Sequence, residues 1–394
     1  MNSIFSDRIS DVPRSFIREI FKVAVDTSVI SFAGGLPNRD FFPVEELQAA
    51  ANKVFESAGK EVLQYSNSEG YPKLREYISK RYLEKKGLYI PVENILITSG
   101  SQQGLDLLGK TFLNEGDEVI IEEPGYLGAI QAFSVYKSAF NPVPVGEDGM
   151  DIDCLKEAFS AKSPKLMYTV PNFQNPSGIS YPDENRYAIA EILKEKSTFL
   201  IEDDPYGDLR FTGTDKESFG KILPENAILL GTFSKTIVPS FRLGWIIAPS
   251  HAVMEKLIIA KQASDLHTNY FIQRVIYQYL AGNDLDKHIG KIIKVYNSQR
   301  LAMIKSIEKY FPSNVSHTHP EGGMFLWVTL PEGVSSMELF DLAIKDKVAF
   351  VPGNPFYINK ENTNTLRLNF SCVDEETIET GIKRLGKSIE KLLS

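Results

Sequence analysis

The sequence predicts an α/β protein, with a large domain built on a mainly parallel seven-stranded sheet between helices and a smaller α/β domain behind it. Three observations carry that prediction. Short apolar runs recur at 94–98, 118–122, 139–145, 165–170, 198–203, 227–232 and 243–248, and helical periodicity fills gaps such as 103–113, 155–159 and 185–196. Parallel, doubly wound sheets need this alternation, because each crossover between parallel strands takes a helix-length connection. A long helical pattern over 284–310 is then followed by apolar runs near 324–329, 348–351 and 365–370 and a closing helix over 375–393, which reads as a second, smaller unit. Finally, 394 residues are long for one compact core. The expected division is an N-terminal arm and small-domain segment over 1–45, the large domain over 46–284, and an interdomain helix with the small domain over 285–394.

Taken in order, residues 15–25 form an amphipathic pattern too short to fold alone. The paired glycines and proline of Ser31-Phe32-Ala33-Gly34-Gly35-Leu36-Pro37-Asn38 mark a turn where backbone comes close to a ligand or another chain, and a plain turn reads equally well. Ligands of doubly wound sheets bind off the carboxyl ends of the strands, so the residues after each strand matter most. The first strand runs into Thr98-Ser99-Gly100-Ser101-Gln102-Gln103-Gly104 and opens a helix. Free backbone N–H groups and the helix dipole favour an anion such as phosphate there, and simple capping by Ser99 or Ser101 is the alternative. The second strand ends in Glu123-Pro124-Gly125-Tyr126, whose ring can stack on a planar ligand or pack on the surface. The fourth ends in Val170-Pro171-Asn172-Phe173-Gln174-Asn175-Pro176-Ser177-Gly178, a rigid turn that holds the Asn175 amide in place.

The fifth strand ends in Asp203-Asp204-Pro205-Tyr206, where Asp203 can pair with a protonated ring nitrogen, or the acidic pair can bind a metal. Between the last two strands stand Ser234, Lys235 and, seven residues on, Arg242. Burial lowers a lysine's pKa and makes its amine nucleophilic, while a hydroxyl and a guanidinium beside it can hold a phosphate. The alternative is a solvated loop lysine with an arginine in a structural ion pair. Together these residues outline a site for pyridoxal phosphate.

Composition narrows the partners. Apolar content of 43% and charged content of 24% are those of an ordinary globular protein, and a net charge of −8 argues against a broad nucleic-acid-binding face. The two cysteines, Cys154 and Cys372, suggest neither a disulfide framework nor a zinc site, and no metal is expected. No apolar run approaches the roughly 18 residues of a membrane span, and no signal-peptide pattern opens the chain, so a cytoplasmic protein without a membrane partner is expected.

As an ordered set, these motifs resemble fold-type I pyridoxal-phosphate enzymes of the class I/II aminotransferase family. The resemblance covers nearly the whole chain and is closest to the branch containing 2-aminoadipate and kynurenine aminotransferases, through Gly34-Gly35-Leu36-Pro37-Asn38, Leu63-Gln64-Tyr65-Ser66, Asp203-Asp204-Pro205-Tyr206, Ser234-Lys235, Val351-Pro352-Gly353 and Leu366-Arg367-Leu368. It implies that Lys235 carries the cofactor as a Schiff base, that Asp203 holds the ring nitrogen, and that Asn175 and Tyr206 bind the phenolate oxygen. Tyr126 would stack on the ring. Ser101, Gln102, Ser234 and Arg242 would bind the phosphate, with Tyr65 reaching it from the other subunit of a homodimer. Arg367 would grip the substrate α-carboxylate, helped by Asn175 and the backbone near Gly35. The implied reaction moves an amino group from an L-amino acid to a 2-oxo acid by ping-pong kinetics. Arg18 matches a place where an arginine can meet a distal carboxylate, as in 2-aminoadipate or glutamate; aromatic and branched donors fit equally well.

Other readings are weaker. Gly104-Leu105-Asp106-Leu107-Leu108-Gly109-Lys110-Thr111 fits the P-loop pattern, but good helix formers fill it and no strand leads into it. The fold also hosts lyases and acyl transferases, and aminotransferase-like domains serve as ligand sensors behind DNA-binding modules, for which the segment before Gly34 is too short. His317-Thr318-His319 reads as a solvated loop, and His267 as part of a loop near the dimer interface.

Overall fold

The structure is a computed structural model, and it describes residues 4–10, 12, 28–161, 163–360 and 362–394; Arg18 and the 15–25 segment lie outside the described residues. In chain order the strands are β1 (Ile30–Ser31), β2 (Ile95–Thr98), β3 (Glu118–Glu123), β4 (Ala139–Gly146), β5 (Gly149–Met150), β6 (Leu166–Thr169) and β7 (Phe199–Asp203). They continue with β8 (Ala227–Thr232), β9 (Gly244–Ile247), β10 (Ser316–His317), β11 (Phe325–Thr329), β12 (Val348–Ala349), β13 (Val351–Pro352) and β14 (Thr365–Asn369).

The large sheet has the order β2-β9-β8-β7-β6-β3-β4-β5. Strands β8, β7, β6, β3 and β4 run parallel, while β9 lies antiparallel between β2 and β8. Helices cover both faces, so the central strands read as unbroken apolar runs, as in Ala227–Thr232, where every residue is buried. Pro142 and Pro144 lie in β4 near the sheet edge, where a missing N–H costs little.

Three expectations need correction. The sheet has eight strands rather than seven, because Gly149–Met150 folds back antiparallel on β4, pairing Val145 with Met150. Two residues carry no readable periodicity; the reversal is made by the turn at Glu147-Asp148, with Gly149 entering β5 at a φ of 93°. The single run expected at 348–351 divides, since β12 pairs with β1 and β13 with β14. The P-loop-like run is interior to the helix Ser101–Phe112. His317 is not in a loop but in β10, paired with Val328.

Beyond β9, the helix Leu285–Tyr310, N-capped by Asp284, packs on the helix Glu375–Leu393, N-capped by Asp374. Beside them lies an antiparallel sheet of order β10-β11-β14-β13. The segment after β1 is tied to this region rather than to the large sheet: Phe32 N donates to Ala349 O at 2.8 Å, and Asn369 N donates to Phe32 O at 2.8 Å. Residues 33–37 are thereby carried from the small region toward the carboxyl ends of the large sheet's strands. No helix of the described residues is long and apolar enough to cross a membrane.

Candidate active site

Where the carboxyl ends of β6, β7 and β8 meet residues 35–37, Phe325 of β11 and Arg367 of β14, they enclose a cavity of about 360 Å³. Lys235 lies three residues beyond β8, and its Nζ donates to the Gly35 carbonyl at 2.7 Å. Burial pushes the Lys235 ammonium down to about 8, helped by the positive charges of Arg367 and Arg242 and opposed by Cys372. A free amine is therefore accessible near neutral pH.

Asp203, the last residue of β7, is buried. Its Oδ2 accepts the Tyr168 hydroxyl at 2.8 Å, and its Oδ1 has no hydrogen-bond partner among the described residues. Burial pushes its carboxyl up to about 7; the Tyr168 hydrogen bond opposes this, and the charges of Asp204 and Glu122 add to it. Asp204 takes a separate course. It accepts from Asn172 Nδ2 at 3.0 Å and pairs with Lys86, which overcomes the burial and holds its carboxyl below the usual range. The adjacent carboxylates therefore diverge, and only Asp203 faces the cavity. Among the described residues no cluster of three or more His, Cys, Asp or Glu side chains is placed to hold a metal.

Arg367 is 1% exposed, and its Nη1 donates to Asn175 Oδ1 at 2.7 Å and its Nη2 to the Ala33 carbonyl at 2.9 Å. Its Nε has no partner among the described residues, and the guanidinium lies over the Phe325 ring at 4.3 Å. A buried cation held, among the described residues, by neutral acceptors and the faces of Phe325 and Phe356 is short of an anion. Desolvation accordingly lowers it to about 10, with Tyr206 and Tyr126 opposing. Tyr206 stands edge-on to Phe325 at 5.8 Å, and burial pushes its phenol well up.

The helix Ser101–Phe112 starts at the same cavity. Its N-cap is Gly100, with φ of 80° and no side-chain cap, so capping by Ser99 or Ser101 is not what occupies the first turn. A Cβ on Gly100 would stand 2.7 Å from Arg242 Nη2, and one on Gly244 would stand 2.8 Å from Ser101 N. The two glycines thus let β9, the helix start and the guanidinium close up. Arg242 itself has φ of 50°, a conformation uncommon outside glycine that turns its side chain back toward the cavity. The Thr232 hydroxyl accepts the Ser234 amide at 3.1 Å, which fixes the turn leading to Lys235.

Gly35, Ser101, Gln102, Tyr126, Asn175, Asp203, Tyr206, Ser234, Lys235, Arg242 and Arg367 all line this one cavity. Tyr65 does not. It is 79% exposed and meets the His267 ring edge-on at 5.8 Å, on a separate surface recess. Arg18 lies outside the described residues. Two lining residues, Tyr168 and Phe325, went unread because each is internal to a strand or at its first position, where an aromatic residue looks like core.

The profile of aminotransferases of class I and II matches residues 27–385. An aromatic-amino-acid aminotransferase from Thermococcus litoralis is 41% identical over 393 residues, covering 98% of this chain and 94% of the relative. A 2-aminoadipate transaminase from Thermus thermophilus is 38% identical, covering 97% and 96%. The crystal structure of a Pyrococcus horikoshii kynurenine aminotransferase in complex with PMP superposes with a TM-score of 0.94 at 41% identity, covering 99% of this chain and 98% of the other. With a buried lysine of lowered pKa, an inward carboxylate and a buried guanidinium whose Nε has no partner among the described residues, all in one cavity, and with similarity running nearly end to end, the chain belongs to the class I and II aminotransferase family.

Proposed function

We propose that the cavity holds pyridoxal phosphate and serves the exchange of an amino group between an L-amino acid and a 2-oxo acid, in a homodimer. The observation that carries this reading is the unpaired, buried Oδ1 of Asp203 in the same cavity as the Lys235 amine. A lone carboxylate oxygen fits a protonated ring nitrogen, and the uncapped helix start with Ser234 and Arg242 fits a phosphate. When bound, the cofactor supplies an aldehyde that captures amines and a ring that takes up the electrons of a broken Cα–H bond.

The chain's own residues do the rest. Lys235 would be the amine that holds the aldehyde and, when the substrate amine has taken its place, would be the base for the Cα proton and the acid that returns it one carbon away. The Gly35 carbonyl, already an acceptor for Nζ at 2.7 Å, steadies the displaced amine. Asp203 would hold the protonated ring nitrogen, Tyr126 would lie against the ring face, and Asn175 and Tyr206 would bind the phenolate oxygen. Arg367 turns its unpaired edge to the substrate carboxylate, with Asn175 and Ala33 fixing the plane of the guanidinium. Among donors, 2-aminoadipate, glutamate, aromatic and branched-chain amino acids fit this reading. Arg18 is assigned by resemblance to a distal carboxylate, and Arg18→Ala is expected to lower kcat/KM for L-glutamate relative to L-leucine.

The test is the visible spectrum of the purified protein during titration with L-glutamate, L-2-aminoadipate, L-kynurenine and L-leucine. A yellow band that is absent in Lys235→Ala and is bleached by at least one amino acid supports the reading. A chain that acquires no visible band even with added pyridoxal phosphate overturns it.

A further inference from the structure

The proposed site leaves one buried group unexplained. Tyr168 is the third residue of β6, in register with Ile201 of β7, and it is fully buried although its ring lines the cavity. Its ring lies nearly parallel to that of Tyr126, with centroids 6.4 Å apart and planes at 25°, so its hydroxyl is held in place from one side. That hydroxyl donates to Asp203 Oδ2 at 2.8 Å, while Oδ1 stays without a partner among the described residues. The other charged groups facing Asp203 are Asp204 and Glu122, both of which oppose its ionisation, and the nearby Lys86 is taken up by Asp204. Tyr126 and Tyr206 are neutral neighbours whose own pKa values are raised by burial and by this carboxylate. Asp203 thus sits in a setting that disfavours its charge, and among the described residues the Tyr168 hydroxyl is the side-chain hydrogen bond that stabilises it.

Resting on the reading of this cavity as a pyridoxal-phosphate site, we propose that Tyr168 is a positioning residue for the ring nitrogen. By occupying Oδ2 it keeps Asp203 a carboxylate, leaves Oδ1 alone to face the ring, and so keeps the shared proton on nitrogen rather than on oxygen. The argument is one of matched basicity. A carboxylate that loses a charge-assisted hydrogen bond becomes a stronger base and draws the shared proton toward itself. A ring without that proton is a poorer acceptor for the electrons of the Cα–H bond. Tyr168 touches neither the reacting carbon nor the substrate in this account, and it acts through Asp203.

Tyr168→Phe keeps the ring packing and removes only the donor. Wild type and variant are each loaded with ¹⁵N-labelled pyridoxal phosphate and, separately, with its N-methyl analogue, whose ring charge is permanent. Three readouts are taken: the ring-nitrogen NMR shift, the pH midpoint of the visible band, and the single-turnover rate with L-glutamate. With the natural cofactor, the variant is expected to move the ring nitrogen toward the unprotonated shift, to raise the midpoint of the visible band, and to slow the turnover by about tenfold or more, the scale of one hydrogen bond to a charged group. With the N-methyl analogue, wild type and variant should give the same midpoint and rates within about twofold, since no proton is left to share. An unmoved nitrogen shift, or an equal loss of rate with both cofactors, overturns the inference while leaving the cofactor reading intact. Failure of the wild type to take up any chromophore overturns both.

Discussion

At the scale of single residues, the site works by controlled desolvation. Lys235, Arg367 and Asp203 are each pushed toward neutrality by burial, and each is then given a different partner. Among the described residues the Lys235 amine hydrogen-bonds only to a carbonyl, and burial lowers its pKa from 10.5 to about 8. The lysine is neutral above that value, so the rate at which the apoprotein captures pyridoxal phosphate is expected to rise with pH and level off just above 8; a rise continuing past pH 10, followed by stopped-flow absorbance, would contradict the assignment. For Arg367, the planar fork is what matters. Arg367→Lys keeps the charge but loses the bidentate contact, and a loss of roughly 2 kcal/mol is expected in kcat/KM for amino acids, about thirtyfold. Amines without a carboxylate should react at an unchanged rate, which a comparison of L-phenylalanine with phenylethylamine reads directly.

At the scale of elements, the site depends on how strands end. The turn after β6 carries Asn175, and a buried carboxyl from the neighbouring β3 secures it: Glu122 accepts from Val170 N at 2.9 Å, Gln174 Nε2 at 2.9 Å and the Tyr181 hydroxyl at 2.7 Å. Burial pushes Glu122 up from 4.5 to about 7 despite those three donors. A carboxyl whose folded pKa is raised stabilises the fold fully below its unfolded value and loses that contribution as pH rises through the folded one. Relative to wild type, Glu122→Gln should therefore gain stability between about pH 4.5 and 7, seen as diverging urea-unfolding curves; curves that stay parallel across that window would reject it. The helix start makes a second case. Gly100→Ala adds a Cβ 2.7 Å from the Arg242 guanidinium at a φ of 80°, so it should weaken cofactor binding by an order of magnitude or so, with a strain cost of about 1–2 kcal/mol in the apoprotein. Equilibrium titration of pyridoxal phosphate against tyrosine and tryptophan fluorescence would measure the first effect.

At the scale of the whole molecule, the cavity exists only because two regions face each other. The large sheet brings Lys235, Asp203 and the helix start; the small region brings Arg367, Phe325 and the 33–37 segment. Arg367 joins them through Asn175 on one side and Ala33 on the other. Tyr65 is exposed beside His267 and away from the cavity of its own chain, and the resemblance proposes it for the phosphate of a partner subunit. That assignment has a subunit-mixing test. A dimer of one Lys235→Ala subunit and one Tyr65→Ala subunit would keep one site with an intact lysine and an intact tyrosine, so refolding an equal mixture should regain about a quarter of wild-type activity at low cofactor concentration. A mixture no more active than its components would place Tyr65 outside the partner's site.

The sequence alone determined the alternation of strands and helices, and with it the residues that stand at strand ends. The parallel sheet makes that step reliable, because its buried strands are uniformly apolar and polar residues at their carboxyl ends stand out. Lys235, Asp203, Asn175 and the Gly100 helix start were legible for this reason. The tertiary structure decided what periodicity cannot encode: which side chains of a fully buried strand face a cavity, and which contacts cross between regions. Tyr168 reads in sequence as one more core aromatic, and only the register of β6 on β7 sets its hydroxyl against Asp203. The same holds for Arg367 and Asn175, which meet at 2.7 Å although 192 positions apart, because a contact between distant segments is fixed by packing and leaves no local pattern to read.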